Sequence, residues 1–161
     1  MNHLVIAHNL RSCYNVGSLL RTCDGLDAEL IMTGTTPYPQ LSDDPRLPHV
    51  AKRAHKQIAK TALGAEGGVN WQRFETLEEA IADARQRGYR VAALEQTEKS
   101  QSLPTETNEN WAIILGNEAD GMQPSEVELA DEAWEIPMQG QKQSFNVVVA
   151  ATIALWQLNQ I

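Results

Sequence analysis

Sulfur, aromatic residues and positive charge are all scarce in this chain. It has two cysteines, two phenylalanines and four histidines in 161 residues, and 13 Lys or Arg stand against 21 Asp or Glu, for a net charge of −8. Each shortage removes a class of protein. Cys13 and Cys23, both inside apolar-patterned sequence, cannot form the disulfide framework of a small secreted domain, and they read as reduced structural thiols. His3, His8, His49 and His55 are scattered, no cluster has metal-ligand spacing, and no metal is expected. The acidic balance argues against a protein that coats nucleic acid indiscriminately, because that affinity comes from neutralising phosphates. A basic-then-apolar leader is missing and no run is long enough to span a bilayer, so the expectation is a cytoplasmic chain with no membrane partner. The phosphate signatures G-x-G-x-x-G and G-x-x-x-x-G-K-[ST] and the nucleophile turn G-x-S-x-G are also missing.

What is present is organised around the C-terminal end. A loop over residues 136–146, marked by Pro137 and Gly140, opens a helix whose first turn Ser144 or Asn146 can cap. From Val147 to Trp156 only Thr152 is polar, and a helix apolar all round is buried on several sides or shared with another subunit. Upstream, residues 3–7 read as a buried strand, 15–26 as a helix with Val16, Leu19, Leu20 and Cys23 on one face, and 29–33 as a second strand. Strand, helix, strand opens a parallel α/β sheet, and the length suits one domain over residues 1–161. Four prolines make residues 34–48 a long loop, functional or disordered, before a helix over 50–62. A short strand at 71–74 follows. Thr76 and Glu79 then form a capping box for a helix bearing Leu77, Ala80, Ile81 and Ala84. Strands at 90–94 and 111–115, a helix at 124–130 and a strand at 134–136 complete the expectation.

One stretch runs against the overall charge. Residues 46–60 hold Arg46, Lys52, Arg53, Lys56 and Lys60, two histidines and no acid. Spacing alone reads them as a solvated helix face; the functional alternative is a phosphate-contacting patch. In open α/β sheets, ligands bind at the carboxyl ends of strands. Three loops rich in Gly, Asn and Glu sit at such ends: the turn before Asn15, residues 116–121 and residues 136–146. Singly, each is ordinary turn chemistry.

Together, Asn15-Val16-Gly17-Ser18-Leu19-Leu20-Arg21, Leu115-Gly116-Asn117-Glu118-Ala119-Asp120-Gly121-Met122, and Ile136-Pro137-Met138 through Ser144-Phe145-Asn146-Val147 closely resemble three ordered signature motifs. They are those of the SpoU (TrmH-like) branch of the SPOUT superfamily, the RNA ribose 2′-O-methyltransferases. Phe145 departs from the pattern, where leucine or methionine is more usual. The resemblance implies a mostly parallel sheet with helices on both faces and a C-terminal deep trefoil knot. It also implies S-adenosylmethionine as donor, S-adenosylhomocysteine as product, no metal, and a homodimer. Residue by residue, it implies that Asn15, Arg21, Glu118, Ser144 and Asn146 are catalytic. Leu94, Gly116, Asn117, Ile136, Met138, Ser144 and Phe145 are then the donor-binding set.

A ribose hydroxyl is a poor nucleophile that needs a base or a strong orienting group. A guanidinium holds its proton too firmly to be an ordinary base, which favours positioning by Arg21 over proton abstraction. The expectation is therefore a 2′-O-methyltransferase without an appended RNA-binding domain. Its substrate is tRNA, at a guanosine, and Arg11, Arg46, Lys52, Arg53 and Lys56 are the candidate RNA contacts. The alternatives are a ribosomal RNA or tRNA wobble target, a non-catalytic RNA-binding or assembly factor of the same fold, and a nucleotide-binding protein using residues 116–121 as its phosphate turn.

Overall fold

The computed structural model describes residues 3–160. Seven strands form one sheet: β1 (His3–His8), β2 (Ala28–Thr33), β3 (Trp71–Phe74), β4 (Tyr89–Leu94), β5 (Gln101–Ser102), β6 (Asn110–Leu115) and β7 (Glu132–Glu135). Their order is β3-β2-β1-β6-β4-β7-β5, and every pairing of neighbours is parallel. The helices are α1 (Cys13–Gly25), α2 (Pro48–Ala62), α3 (Leu77–Gln86), α4 (Pro124–Val127) and α5 (Val147–Leu158).

Side-chain alternation along the strands divides the core in two, because successive residues of a strand face opposite ways. Val5, Ala7, Leu30, Met32, Ile113 and Leu115 pack under α1, α2 and α5, while Leu4, Ile6, Ile31, Ala112 and Ile114 pack on α3. Both faces of the central strands are covered, which is why those strands read as unbroken apolar runs. None of the described helices is long and apolar enough to cross a membrane.

Most boundaries move by one or two residues from the sequence reading. Helix α1 begins two residues before Asn15, and Ser12 is its cap, accepting from the Asn15 amide at 3.2 Å. Asn146 caps α5 by accepting from the Val148 amide at 2.9 Å, so of the two candidates it is the capping residue. The capping box at Thr76 and Glu79 is present. Helix α4 stops at Val127, shorter than the 124–130 expected, and β5 was not anticipated at all.

The proline-rich loop is ordered, and Arg46 is the reason. Its guanidinium meets Asp44 Oδ2 at 2.6 Å, donates to the Tyr38 and Pro39 carbonyls, and lies 3.6 Å over the Tyr38 ring. The Arg46 guanidinium, with the Leu41 and Arg46 amides, holds the Asp44 carboxyl well below the usual carboxylate range. Arg46 thus belongs to the loop's internal frame, not to the exposed basic face.

Helices α1 and α2 touch backbone to backbone at Gly17. A Cβ there would fall 2.2 Å from the Ile58 carbonyl oxygen and from Thr61 Oγ1, and Thr61 Oγ1 also donates to the Tyr14 carbonyl at 2.8 Å. Both thiols are free, and burial pushes Cys23 up to about 12.

His3 carries a pH liability. It is 1 % exposed, both ring nitrogens lack hydrogen-bond partners among the described residues, and burial pulls its pKa below 6.5. Unfolded chains take up a proton there first, so stability is complete above that value and falls as pH drops through it. The slope is up to about 1.4 kcal/mol per pH unit until the folded imidazole protonates too. His3→Phe should flatten this loss in thermal melts taken between about pH 7 and 5; an unchanged slope would assign it to other groups.

Candidate active site

The sheet order turns back on itself between β1 and β6, and ligand crevices form at the carboxyl ends of strands near such a switch. A cavity of about 390 Å³ opens to one side of it, at the ends of β4, β6 and β7, and the loop before α5 closes one wall. Four segments build it. Residues 94–96 leave β4, 115–121 leave β6, and 134–136 finish β7; 143–147 and Ala150 come from the start of α5.

The β6–α4 turn is compact because its glycines permit it. A Cβ at Gly116 would lie 2.5 Å from Met122 Cγ and 2.8 Å from the Gly121 carbonyl carbon, while Gly121 has φ +67°. Asn117 Oδ1 accepts from the Ala119 and Asp120 amides, and Asn117 Nδ2 donates to the Asn9 carbonyl at 2.9 Å.

Glu118 leaves this turn to grip the start of α1. Its Oε2 accepts from the Arg11 amide at 2.8 Å, and its Oε1 accepts from the Ser12 amide at 3.1 Å and Asn15 Nδ2 at 2.9 Å. Burial pushes its pKa up, but these hydrogen bonds outweigh that and hold it below the usual carboxylate range. Asn15 Oδ1 in turn accepts from Asn146 Nδ2 at 3.4 Å. Glu118, Asn15 and Asn146, separated by about a hundred residues or more along much of that path, therefore form one hydrogen-bonded chain at the cavity mouth.

Leu94, Gly116, Asn117, Glu118, Ile136, Ser144, Phe145 and Asn146 line the cavity. Asn15 reaches it only through Glu118 and Asn146, and Met138 is not part of the lining. Arg21 is also outside the lining: it is exposed on α1, and among the described residues it makes no ion pair. It lies beside Thr22, whose hydroxyl meets that of Thr152 on α5 at 3.3 Å. Helix α5 leaves Val149 and Trp156 44 % and 57 % exposed on that side. Glu95 and Glu135 line the cavity without having been singled out from sequence, although Glu95 directly follows a strand end, where a ligand contact is expected, and Asp120 joins them from the 116–121 loop. The lining holds four carboxylates, with Glu118, and no Lys, Arg or His.

Fold and cavity together define a parallel α/β protein with an open cavity at the carboxyl ends of β4, β6 and β7. The chain belongs to the SpoU rRNA Methylase family, which residues 2–156 match. It is 26% identical over 155 residues to the mouse tRNA (guanosine(18)-2'-O)-methyltransferase TARBP1, covering 96% of this chain and 9% of that protein. It is 25% identical over 159 residues to the Aquifex aeolicus tRNA (guanosine(18)-2'-O)-methyltransferase, covering 96% of this chain and 67% of that protein. Its fold matches that of an AdoMet-bound rRNA methyltransferase from Sinorhizobium meliloti with a TM-score of 0.81 at 22% identity, over 99% of this chain and 56% of that one. The chain thus spans only part of the length of these relatives.

Proposed function

We propose that this chain methylates the 2′-hydroxyl of an RNA ribose, with S-adenosylmethionine as donor and a tRNA guanosine as the favoured target. The observation that carries the reading is the convergence of three distant motifs on one cavity through Glu118, Asn15 and Asn146. The charge of the lining supports the choice of ligand. Four carboxylates without a cation oppose a phosphate group, which disfavours the nucleotide-binding alternative, and suit a ligand bearing sulfonium and ammonium charges. Gly116 is required by the turn itself, because a Cβ there would collide with Met122 and Gly121 and push apart the backbone that lines the cavity.

When bound, S-adenosylmethionine supplies a methyl group whose sulfur leaves with the bonding pair, as S-adenosylhomocysteine. The chain's own residues position the acceptor. Glu118 is a poor base, with its oxygens occupied by three donors, and acts by fixing Asn15 and the start of α1. The Ser144 hydroxyl has no hydrogen-bond partner among the described residues and is available to the ribose. Arg21 gathers phosphate and hydroxyl as a charged fork while the hydroxyl proton leaves to solvent. Because Arg21 flanks the uncovered stripe of α5 and misses its own cavity, a homodimer formed over that stripe is part of the proposal. So is the knotted path of the C-terminal segment.

RNA is held by the exposed face of α2 with Arg11. Lys52, Arg53, Lys56 and Lys60 are exposed and unpaired among the described residues, while Arg46 is engaged by Asp44 and drops out of the surface. Reversing charge at Lys52 and Arg53 together should weaken tRNA binding about tenfold or more and reduce its salt dependence. Calorimetry should find donor affinity unchanged. Wild-type tRNA affinity in that variant removes α2 from the account.

The direct test incubates the protein and labelled donor with tRNA and with rRNA, then maps 2′-O-methyl nucleosides by mass spectrometry. Methylation of tRNA at a guanosine is expected. Donor binding with no transfer to either RNA would favour the non-catalytic alternative.

A further inference from the structure

Glu95 belongs to none of the three signature motifs, yet it reaches the turn that forms the cavity floor. Its backbone is fixed first: the Glu95 amide donates to the Trp134 carbonyl at 2.9 Å, tying residue 95 to β7. Its carboxylate then crosses to the β6–α4 turn, where Oε2 accepts from the Met122 amide at 2.8 Å. The other oxygen, Oε1, accepts from the Gln96 amide at 3.0 Å. The turn has a gap shaped for this carboxylate, since a Cβ at Gly121 would lie 2.6 Å from Glu95 Oε2. Gly121 N–H closes the turn from inside by donating to the Asn117 carbonyl at 2.9 Å.

The turn is therefore held from two sides by different groups. On the side of α1, Asn117 bonds the Asn9 carbonyl and Glu118 bonds Arg11, Ser12 and Asn15. On the side of β4 and β7 the described side-chain anchor is Glu95, which itself lines the cavity. We propose that Glu95 is a positioning residue for the donor: through the Met122 amide it sets the height of the Gly116–Gly121 backbone against which the donor lies. This rests on the proposed donor reading of the cavity. An ionised acceptor of two amides is among the stronger hydrogen-bonding arrangements, and its loss leaves a turn amide without its partner. The RNA side of the turn keeps its own anchors, so the effect falls on the donor alone.

The experiment measures donor affinity by calorimetry and steady-state kinetics on tRNA for Glu95→Ala, Glu95→Gln, Gly121→Ala and the Glu95→Ala/Gly121→Ala pair. Glu95→Ala should weaken donor binding about tenfold or more and raise the donor KM in parallel, with kcat and the RNA KM little changed. Glu95→Gln keeps one acceptor oxygen and should lie between wild type and Glu95→Ala, which also carries the test if the alanine variant folds poorly. Gly121→Ala both crowds the carboxylate and strains a backbone at φ +67°, so it should weaken donor binding in the wild-type and the Glu95→Ala backgrounds alike. Unchanged donor affinity in Glu95→Ala and Glu95→Gln, or equal losses on donor and RNA, would overturn the proposal. A wild-type protein that binds no S-adenosylmethionine would overturn the donor reading as well; one that binds it, with the Glu95 variants binding equally, overturns only the role of Glu95.

Discussion

Arg21→Ala should lower methyl transfer about a thousandfold or more while leaving donor affinity at the wild-type level. Positioning of reactants can supply much of a barrier, and a factor of a thousand corresponds to about 4 kcal/mol. The donor affinity is expected to survive because Arg21 is exposed on α1 and outside the cavity lining. Arg21→Lys should recover little, since a point charge cannot present the planar fork that grips a phosphate and a hydroxyl together. Rapid-quench transfer to tRNA, with calorimetry of donor binding alongside, separates the outcomes. Activity within an order of magnitude of wild type would return Arg21 to the status of a solvated helix residue.

Trp156→Asp should convert the proposed dimer to monomers and remove activity with it. Trp156 is 57 % exposed and Val149 44 % exposed, with Thr152 between them on the same side of α5. Deleting a large buried aromatic side chain costs about 3–5 kcal/mol, and a carboxylate in its place adds a desolvation penalty, so association should weaken roughly a thousandfold. Sedimentation equilibrium measures the change, and donor binding by the monomer shows that the fold persists. A chain that is already monomeric as wild type, yet methylates RNA, would oblige Arg21 to reach its own cavity. A mixture of Arg21→Ala with a donor-binding variant such as Gly116→Val tests the same point: recovery of activity is expected only if the arginine and the cavity come from different protomers.

The parallel sheet was legible because its central strands are covered on both faces, so 4–7 and 111–115 stand out as unbroken apolar runs. Helix α3 was legible from its capping box, a purely local device. Strand β5 was not, since Gln101 and Ser102 are polar and exposed and their pairing with β7 is set by tertiary context. Counting charge over residues 46–60 began two positions after Asp44, and so treated as solvated an arginine whose partner lies just outside the window. Glu95 was invisible for a related reason. Its partner is an amide 27 residues away, and backbone donors leave no mark in a sequence. Arg21 shows the opposite limit: the motif around it points to a role, while its own position is an exposed one on α1 outside the cavity lining.

Gly17 carries a consequence for how substrate is handled. With no side chain between them, α1 and α2 meet at Ile58 and Thr61 with no slack for one to slide over the other. The face that would grasp a nucleic acid and the arginine that would aim its ribose are thus two points on a single stiff lever. An RNA that seated on one would already be registered with the other, so orientation would be inherited from docking without a separate closing motion.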